Sequence, residues 1–225
     1  LGRVVQEARI QIMAITNYTN LQTSIADFLN RDDLTAVIPD FITLAEAQMN
    51  REIRHWQMIK RSTGQGNPAD QYAQVPADWL ETIRMHVTDP TFTTLENPIT
   101  MISRDQMLDL RMKNNDNSTK SPYHYTLADG QFNFYPTPTA TLNFELMYYS
   151  KIPDLATNTT NWLLSDHPDA YLYGALLHSA PYLAEDARVA VWAQMYSAAV
   201  SNVNRASEEA QYSGSGMKLK VRGLG

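Results

Sequence analysis

Apolar residues recur every three or four positions near both ends of the chain, and this spacing predicts amphipathic helices. Near the N-terminus, a short helix follows Thr19 or Asn20, either of which suits the capping position. A longer helix begins at Pro39 and Asp40 and runs to about Arg61, beyond which glycines and a proline end it. One face of this longer helix carries Phe41, Leu44, Ala45, Gln48, Met49, Glu52, Ile53, Trp56 and Ile59.

The stretch from Trp162 to Gln211 predicts two further helices joined by a short break, that is, a helical hairpin. Residues 161–168 form its start signal. Ser165 and Asp166 can accept hydrogen bonds from free backbone N–H groups, and Pro168 has no N–H to leave unbonded. The apolar faces of the two helices carry Tyr171, Leu172, Ala175, Leu176 and Ser179, and then Val189, Trp192, Ala193, Tyr196, Ala199, Val200 and Val203.

Between these helical regions apolar and polar residues alternate in short segments that are rich in aromatic and β-branched side chains. This pattern predicts strands at residues 71–75, 80–87, 92–95, 123–127, 131–135 and 142–149. Ala128, Asp129 and Gly130 form a hairpin turn between two of them, and Phe132 and Phe134 are expected on one face of the sheet. One helix is inserted among the strands, because Ser103 and Gln106 have the spacing of a capping box.

The order of helices, then strands, then helices predicts an α+β fold with segregated elements. We expect residues 17–62 and 160–211 to form one helical bundle. Residues 63–159 are expected to form an inserted, mostly antiparallel β-rich lobe with one short helix, and residues 212–225 an extended C-terminal tail. Met13 is typical of a natural start, so we interpret residues 1–12 as an upstream extension.

Composition and charge exclude several classes of function. The chain has 225 residues, a net charge of −6 and no cysteine, which excludes disulfides, thiolate metal sites and cysteine nucleophiles. The negative charge argues against a protein that wraps nucleic acid through a basic surface. No apolar run approaches the ~20 residues that a membrane helix needs, and no secretory signal is visible.

The sequence predicts no catalytic, cofactor or metal site. The five histidines are scattered along the chain. The two that have a carboxylate nearby in sequence, His55 with Glu52 and His86 with Asp89, supply two ligands each at most, fewer than metal sites use.

Two other patterns have a structural interpretation. His167 beside Asp166 is interpreted as part of a helix cap rather than an acid/base pair. An aromatic cluster lacks the interleaved Lys and Arg of a single-strand nucleic-acid platform, so we expect it to pack in the core. Its members are Tyr148, Tyr149, Trp162, Tyr171, Tyr173, Tyr182 and Trp192.

The C-terminal tail has a pattern and charge of its own. Its apolar residues Met217, Leu219 and Val221 alternate with the basic residues Lys218, Lys220 and Arg222. Because the tail has no acidic residue, it carries +3 and the rest of the chain −9 of the total −6. Such a segment can become ordered by adding to the sheet edge of another protein or by lying in its groove. A disordered terminus is the alternative.

Four segments together resemble the adaptor, or head-to-tail connector, proteins of tailed bacteriophages. They are IPDFITLAEAQMNR at residues 38–51, VPADWL at 75–80, the pair FNFYP at 132–136 and FELMYY at 144–149, and WLLSDHPDAYLYG at 162–174 with the hairpin after it. The resemblance spans most of residues 35–210. It leaves out residues 1–16 and the inserted helix near Ser103.

The resemblance implies a structural virion protein without catalysis or cofactor. Such proteins form a ring, usually of twelve copies, in the virion neck between the portal and the tail, after synthesis in the host cytoplasm. The ring extends the channel through which DNA passes during genome ejection without specific binding. Its partners are the portal protein and tail, tail-terminator or nozzle proteins, with no membrane. The tail is expected to bind the portal through Met217, Lys218, Leu219, Lys220, Val221 and Arg222.

Two alternatives belong to other classes of protein. The first is a tail or baseplate component that is built on similar strand and helix modules. The second is an enzyme with a pocket that its sequence does not reveal, for which we expect a deep polar pocket with perturbed titratable groups.

Overall fold

The computed structural model describes residues 14–88, 97–113, 121–138, 140–183 and 187–213. The chain divides into two units, one drawn from Leu1–His55 and Ile152–Gly225 and the other formed by Trp56–Lys151. We call them the helical unit and the β unit. The fold is α+β, with a bundle of N- and C-terminal helices and an inserted, mostly antiparallel β lobe, as the order of the predicted elements indicates.

The α-helices and strands follow one another along the chain in three blocks. The helices are α1 (Tyr18–Leu29), α2 (Ile38–Glu52), α3 (Arg104–Lys113), α4 (Leu155–Asn158), α5 (Trp162–Asp166), α6 (Pro168–His178) and α7 (Val189–Tyr212). The strands are β1 (Ile59–Gly66), β2 (Tyr72–Gln74), β3 (Trp79–Thr88), β4 (Asn97–Pro98), β5 (Thr100–Met101), β6 (His124–Ala128), β7 (Gln131–Tyr135) and β8 (Leu142–Ser150). No helix in the described part of the chain combines the length and the apolar character that a membrane span requires.

The first helix begins earlier than predicted. Asn17, not Thr19 or Asn20, caps α1, since its side-chain oxygen accepts a hydrogen bond from the Asn20 N–H at 2.9 Å. The Tyr18 N–H donates to the Thr159 carbonyl at 2.7 Å, a contact between distant parts of the sequence that fixes where the helix starts. Local spacing therefore indicated the helix but not its first residue.

The prediction that α2 runs to about Arg61 is wrong. The helix starts as predicted, with Pro39 in its first turn, but it ends at Glu52, and Ile53 is already extended with φ −93° and ψ 133°. Residues beyond it form β1, which pairs along its whole length with β8. The gain from this pairing and from burial overrides a helical periodicity that is only a weak local preference.

The hairpin of α6 and α7 is present as predicted, and a short helix precedes it. Pro168 lies in the first turn of α6. Ser165 and Asp166, which we expected to cap it, lie inside α5 instead. The helix α5 is itself capped by Asn161, whose side-chain oxygen accepts a hydrogen bond from the Leu164 N–H at 2.9 Å.

The core of the helical unit forms where α6 approaches α2 and α7. Gly174 permits this approach, because an added Cβ would lie 3.0 Å from the Met49 side chain, 3.1 Å from the Tyr196 ring and 3.2 Å from Ala45. Apolar residues from all three helices are buried around this point. A glycine in mid-helix, unfavourable by itself, is thus explained by packing.

The β unit consists of two four-stranded sheets packed face to face. One has the strand order β1-β8-β3-β4 and the other β2-β7-β6-β5, with every pair antiparallel except β5 and β6. Period-two alternation sends one side of each strand inward, as predicted for Phe132 and Phe134. The shared core contains Met85, Val87, Ile99, Tyr125, Phe132, Phe134, Leu146 and Tyr148. The predicted strand at residues 92–95 lies outside the described residues.

Local signals placed the turn and the inserted helix of the β unit correctly. Asp129 and Gly130 have φ 53° and 68°, as a two-residue hairpin turn between β6 and β7 requires. In the capping box of α3, the Ser103 N–H donates to the Gln106 side chain at 3.1 Å and the Gln106 N–H donates to the Ser103 hydroxyl at 3.2 Å. Arg111 then ties α3 to the second sheet by donating to Asn133 at 2.9 Å.

We predict that Gly64→Ala destabilises the protein by about 1–3 kcal/mol. The new Cβ would overlap the Phe144 ring, which covers Gly64 from the facing position on β8. Urea unfolding followed by circular dichroism measures the change.

Gly66→Ala is the matched control, since the nearest atom to its Cβ is 3.7 Å away in Pro138. The penalty of Gly64→Ala should shrink in a Phe144→Leu background because the two positions couple directly. Equal stability losses for the two alanine variants would contradict this account.

Candidate functional site

The candidate site predicted from the sequence, Met217 to Arg222, lies outside the described residues. The structure shows the helix from which this segment continues. α7 ends at Tyr212, and the Ser213 N–H donates to the Glu209 carbonyl at 2.9 Å. The last helical side chain, Tyr212, is 70% exposed. The described part of the site is therefore α7 together with the contacts that hold it in place.

One stripe of α7 anchors the helix in the bundle. Trp192, Tyr196, Ala199, Val200, Val203 and Ser207 are buried along it, at the spacing that predicted the helix. The Tyr196 hydroxyl donates to the Glu52 carboxylate at 3.0 Å, and burial, with this acceptor, raises the pKa of the phenol. The guanidinium of Arg188 lies 5.0 Å from the centre of the Trp192 ring. These contacts fix the direction of α7 along most of its length.

Asn204 of α7 also closes the end of α2. Its side-chain oxygen accepts from the Arg54 N–H at 2.9 Å, and its side-chain amide donates to the Glu52 carbonyl at 3.1 Å. Backbone groups at a helix C-terminus need such partners outside the helix. The sequence reasoning missed Asn204, because no local signal shows that an amide serves a helix 150 positions away.

A buried polar network joins α2 to the segment that leads into the hairpin. Glu46, only 9% exposed, accepts from the Leu155 N–H at 2.9 Å and from the Tyr171 hydroxyl at 3.4 Å. Asn161 donates to the same hydroxyl at 2.7 Å and to the Pro153 carbonyl at 2.7 Å. Each member thus has a partner, as a buried polar group requires.

Burial changes the acidity of this network. It raises the pKa of Glu46, against the smaller lowering that comes from the hydrogen bond with the Leu155 N–H. Burial, together with the nearby Glu46 carboxyl, also raises the pKa of Tyr171. Perturbed groups often mark active sites, but structural networks produce the same shifts. The partners of Glu46 are a backbone N–H and a phenol inside the bundle, so its role is structural.

The histidines of the helical unit pack against aromatic and polar neighbours. The His55 ring stacks on Trp162 with centroids 4.7 Å apart and lies edge-on to His167 at 6.3 Å. Burial and the neighbouring His167 lower the pKa of His55. His178 shares a 2.9 Å hydrogen bond with Gln48, and burial lowers its pKa as well.

The histidines do not gather into a metal site in the described part of the chain. His124 of the β unit lies 2.7 Å from the Thr100 hydroxyl, and His86 is buried in β3. Within the residues that the structure describes, no group of three or more His, Asp or Glu side chains has the geometry to hold a metal ion. His167 occupies the N-cap position of α6, as expected, but its side chain makes no capping hydrogen bond.

Three of the seven members of the aromatic cluster pack in the core as expected, and Tyr149, Trp162 and Tyr173 are half-buried. Tyr148, Tyr171 and Trp192 are at most 5% exposed. Burial, with a hydrogen bond to Asp78, raises the pKa of Tyr148 to about 12. Tyr182 differs, because it is 52% exposed while its ring meets the buried Phe41 ring edge-on at 5.1 Å.

A comparison with protein families gives a match over most of the chain. A family model described as SU10 adaptor protein matches residues 16–218. The match includes parts of both units and the inserted helix α3, which the resemblance of local motifs left out. No curated protein gives a significant match to the chain.

We predict that Asn204→Ala destabilises the protein by about 1–3 kcal/mol, because the Arg54 N–H loses this acceptor and the Glu52 carbonyl this donor. Asn202→Ala is the matched control. It removes an exposed asparagine from the same helix whose side chain only accepts a 3.3 Å hydrogen bond from Arg205. Urea denaturation of both variants measures the difference, and a larger loss for Asn202→Ala would contradict the role given to Asn204.

For Glu46 we predict opposite effects of two substitutions at pH 7. Glu46→Gln keeps an acceptor for the Leu155 N–H and removes a buried charge, so stability is unchanged or higher. Glu46→Ala leaves that N–H and the Tyr171 hydroxyl without this acceptor, which costs about 1–3 kcal/mol.

The pH dependence tests the raised pKa of Glu46. When folding raises the pKa of an acid, its stabilising contribution is full below the pKa of the unfolded chain and is lost as pH rises through the folded value. Wild type should therefore gain stability relative to Glu46→Gln when the pH falls from about 7 to about 5. If wild type instead loses stability relative to the glutamine variant, the ionised form is the favoured one.

Proposed function

The chain belongs to the SU10 adaptor protein family, a family of phage head-tail adaptors, and we propose that it forms a ring between the portal and the tail. As a phage adaptor it is a structural virion protein. The finer proposal is a ring of twelve copies in the virion neck, beneath the portal, which extends the DNA channel and offers a surface to tail, tail-terminator or nozzle proteins.

The single observation that carries this proposal is the extent of the family match. It runs from residue 16 to residue 218 and so includes the bundle, the β unit and the first residues of the basic tail segment. A match confined to one unit would support only a shared module. The α+β architecture agrees with it, with long helices for a ring body and an inserted β unit.

We propose further that the C-terminal tail contacts the portal. α7 has 24 residues and is a rod of roughly 36 Å, held along one side by buried contacts. Residues 214–225 follow it and span at most roughly 40 Å when extended. The alternation of Met217, Leu219 and Val221 with three basic residues supplies an apolar face and a charged face. Such a segment suits a groove or a sheet edge on another protein.

The charge of the chain supports passage of DNA without binding. Phosphate contacts from Lys and Arg accumulate affinity, and a channel lined with them would hold the DNA that it must let slide. The net charge is −6, and three of the basic residues belong to the tail. The body of the proposed ring is therefore more acidic than the whole chain.

We predict that truncation after Tyr212 abolishes binding to the portal and leaves the fold intact. The buried stripe of α7, whose last member is Ser207, lies wholly in the part of the chain that is kept. Co-sedimentation with capsids or portal from the same source measures docking, and circular dichroism measures the fold. Normal docking by the truncated protein would exclude the tail as the portal contact.

Two full-length variants separate the faces of the tail. Replacing Met217, Leu219 and Val221 with serine should weaken docking at every salt concentration. Replacing Lys218, Lys220 and Arg222 with glutamine should weaken it mainly at low salt, where charge contributes most. A tail that acts only through charge would show the second effect without the first.

The mass of the assembled species tests the ring itself. We expect a monomer or a small oligomer in dilute solution and a ring when the portal protein is added. A stable oligomer that ignores the portal would instead favour a tail or baseplate component.

A further inference from the structure

The outer edge of β1 is open in the described residues. In its sheet, β1 pairs on one side with β8 over all eight residues, and no described strand lies on its other side. An edge strand of this length presents a row of backbone donors and acceptors to which another extended chain can add.

The inner face of β1 lacks large side chains. Its inward positions after Lys60 are Ser62, Gly64 and Gly66, which lie opposite Leu146, Phe144 and Leu142 of β8. Phe144 covers Gly64, and Gly66 helps to line an apolar pocket in the β unit together with Phe144, Leu142 and Pro138 and with Val87 and Phe134 of the core. A strand added next to β1 would therefore place its inward side chains beside glycines and apolar surface. Large apolar residues at alternate positions fit this space.

The cations of β1 do not bar a basic segment. Lys60 forms an ion pair with Asp78 at 2.6 Å, and Arg61 forms one with Glu145 at 2.5 Å. Both lie in the first half of the strand. The stretch from Ser62 to Gly66 carries no charge.

The chain itself contains a segment with the matching pattern. Met217, Leu219 and Val221 alternate with Lys218, Lys220 and Arg222, which gives three large apolar side chains on one face. With that face toward the core, the basic side chains would lie on the outer face of the sheet, beside the uncharged Thr63 and Gln65. An exposed apolar segment and an open sheet edge each favour unspecific association, and pairing them covers both.

We infer that the stretch Ser62–Gly66 of β1 is a strand-addition site for residues 217–222 of a second copy of this chain. The choice of a second copy rests on the proposed function, which requires copies of this chain to associate. In the free protein the pairing covers the apolar face of the tail. The portal then competes with β1 for the same segment, so that the tail is released where the ring is built.

Disulfide trapping between two singly substituted proteins tests this inference, and it is clean because the chain has no cysteine. Thr63→Cys is exposed on the outer face of β1, and Lys218→Cys or Lys220→Cys supplies the partner. Directly opposed residues of neighbouring strands bring their Cβ atoms close to the distance that a disulfide needs. Mixing the two purified proteins under mild oxidation should give a covalent heterodimer on a non-reducing gel.

The matched control is Gln74→Cys, exposed at the edge strand β2 of the other sheet. The Thr63 pair should give several times the cross-link yield of the Gln74 pair. Serine at positions 217, 219 and 221 should reduce that yield to the control level, and added portal should reduce it as well.

Several outcomes would overturn the inference. Equal yields at Thr63 and Gln74, or a yield unchanged by the three serines, would show that collision and not strand addition joins the chains. A disulfide that forms within one chain carrying both cysteines, but never between chains, would exclude a second copy. None of these results depends on whether a ring forms on the portal. The proposed function is tested separately, by the mass of the species that assembles with portal. A yield that portal leaves unchanged would overturn the competition between the two acceptors.

Discussion

The structure depends on the hydrogen bonds by which side chains of α2 hold the chain where it re-enters the helical unit after the β unit. Asn50 accepts a hydrogen bond from the Ile152 N–H at 2.8 Å, and Glu46 accepts one from the Leu155 N–H at 2.9 Å. At the end of the same helix, Asn204 binds the Arg54 N–H as the chain leaves. Where the chain leaves the helical unit and where it returns, side chains therefore satisfy backbone N–H groups beside α2. Without them, buried or half-buried N–H groups would lack partners, at a cost that a marginally stable fold cannot absorb many times.

This dependence explains which parts of the fold were predictable from sequence. The capping box at Ser103, the turn at Gly130 and the hairpin helices rest on contacts between residues that are close in sequence, so local patterns show them. The end of α2 and the whole of β1 rest on pairing with β8, as in the Arg61–Glu145 contact across 84 positions. The helical periodicity of the sequence continues through Trp56 and Ile59 and carries no information on the distant strand β8. The predicted end of α2 was therefore wrong.

The candidate site divides in the same way. The alternation of apolar and basic residues in the tail is visible in the sequence. The resemblance predicts portal binding for this tail, a role that charge and spacing alone left open. Glu46 and Asn204 were missed because their partners lie 109 and 150 positions away. Their perturbed or polar character would suit chemistry if they lined a pocket. They instead contact backbone and phenol groups inside the bundle, where these hydrogen bonds stabilise the fold.

The proposed strand addition requires the tail to change partners once during assembly. A strand of six residues with three apolar side chains is too short to form a stable sheet by itself and gains affinity only from the edge or groove that receives it. Such a segment can leave one acceptor for another whenever the second offers more contacts, since the equilibrium shifts only by the difference between the two affinities. In the proposed pairing, the small inward residues of β1 leave room for the apolar side chains of the tail and supply little surface of their own. We therefore expect the edge to hold the tail weakly enough for the portal to compete for it.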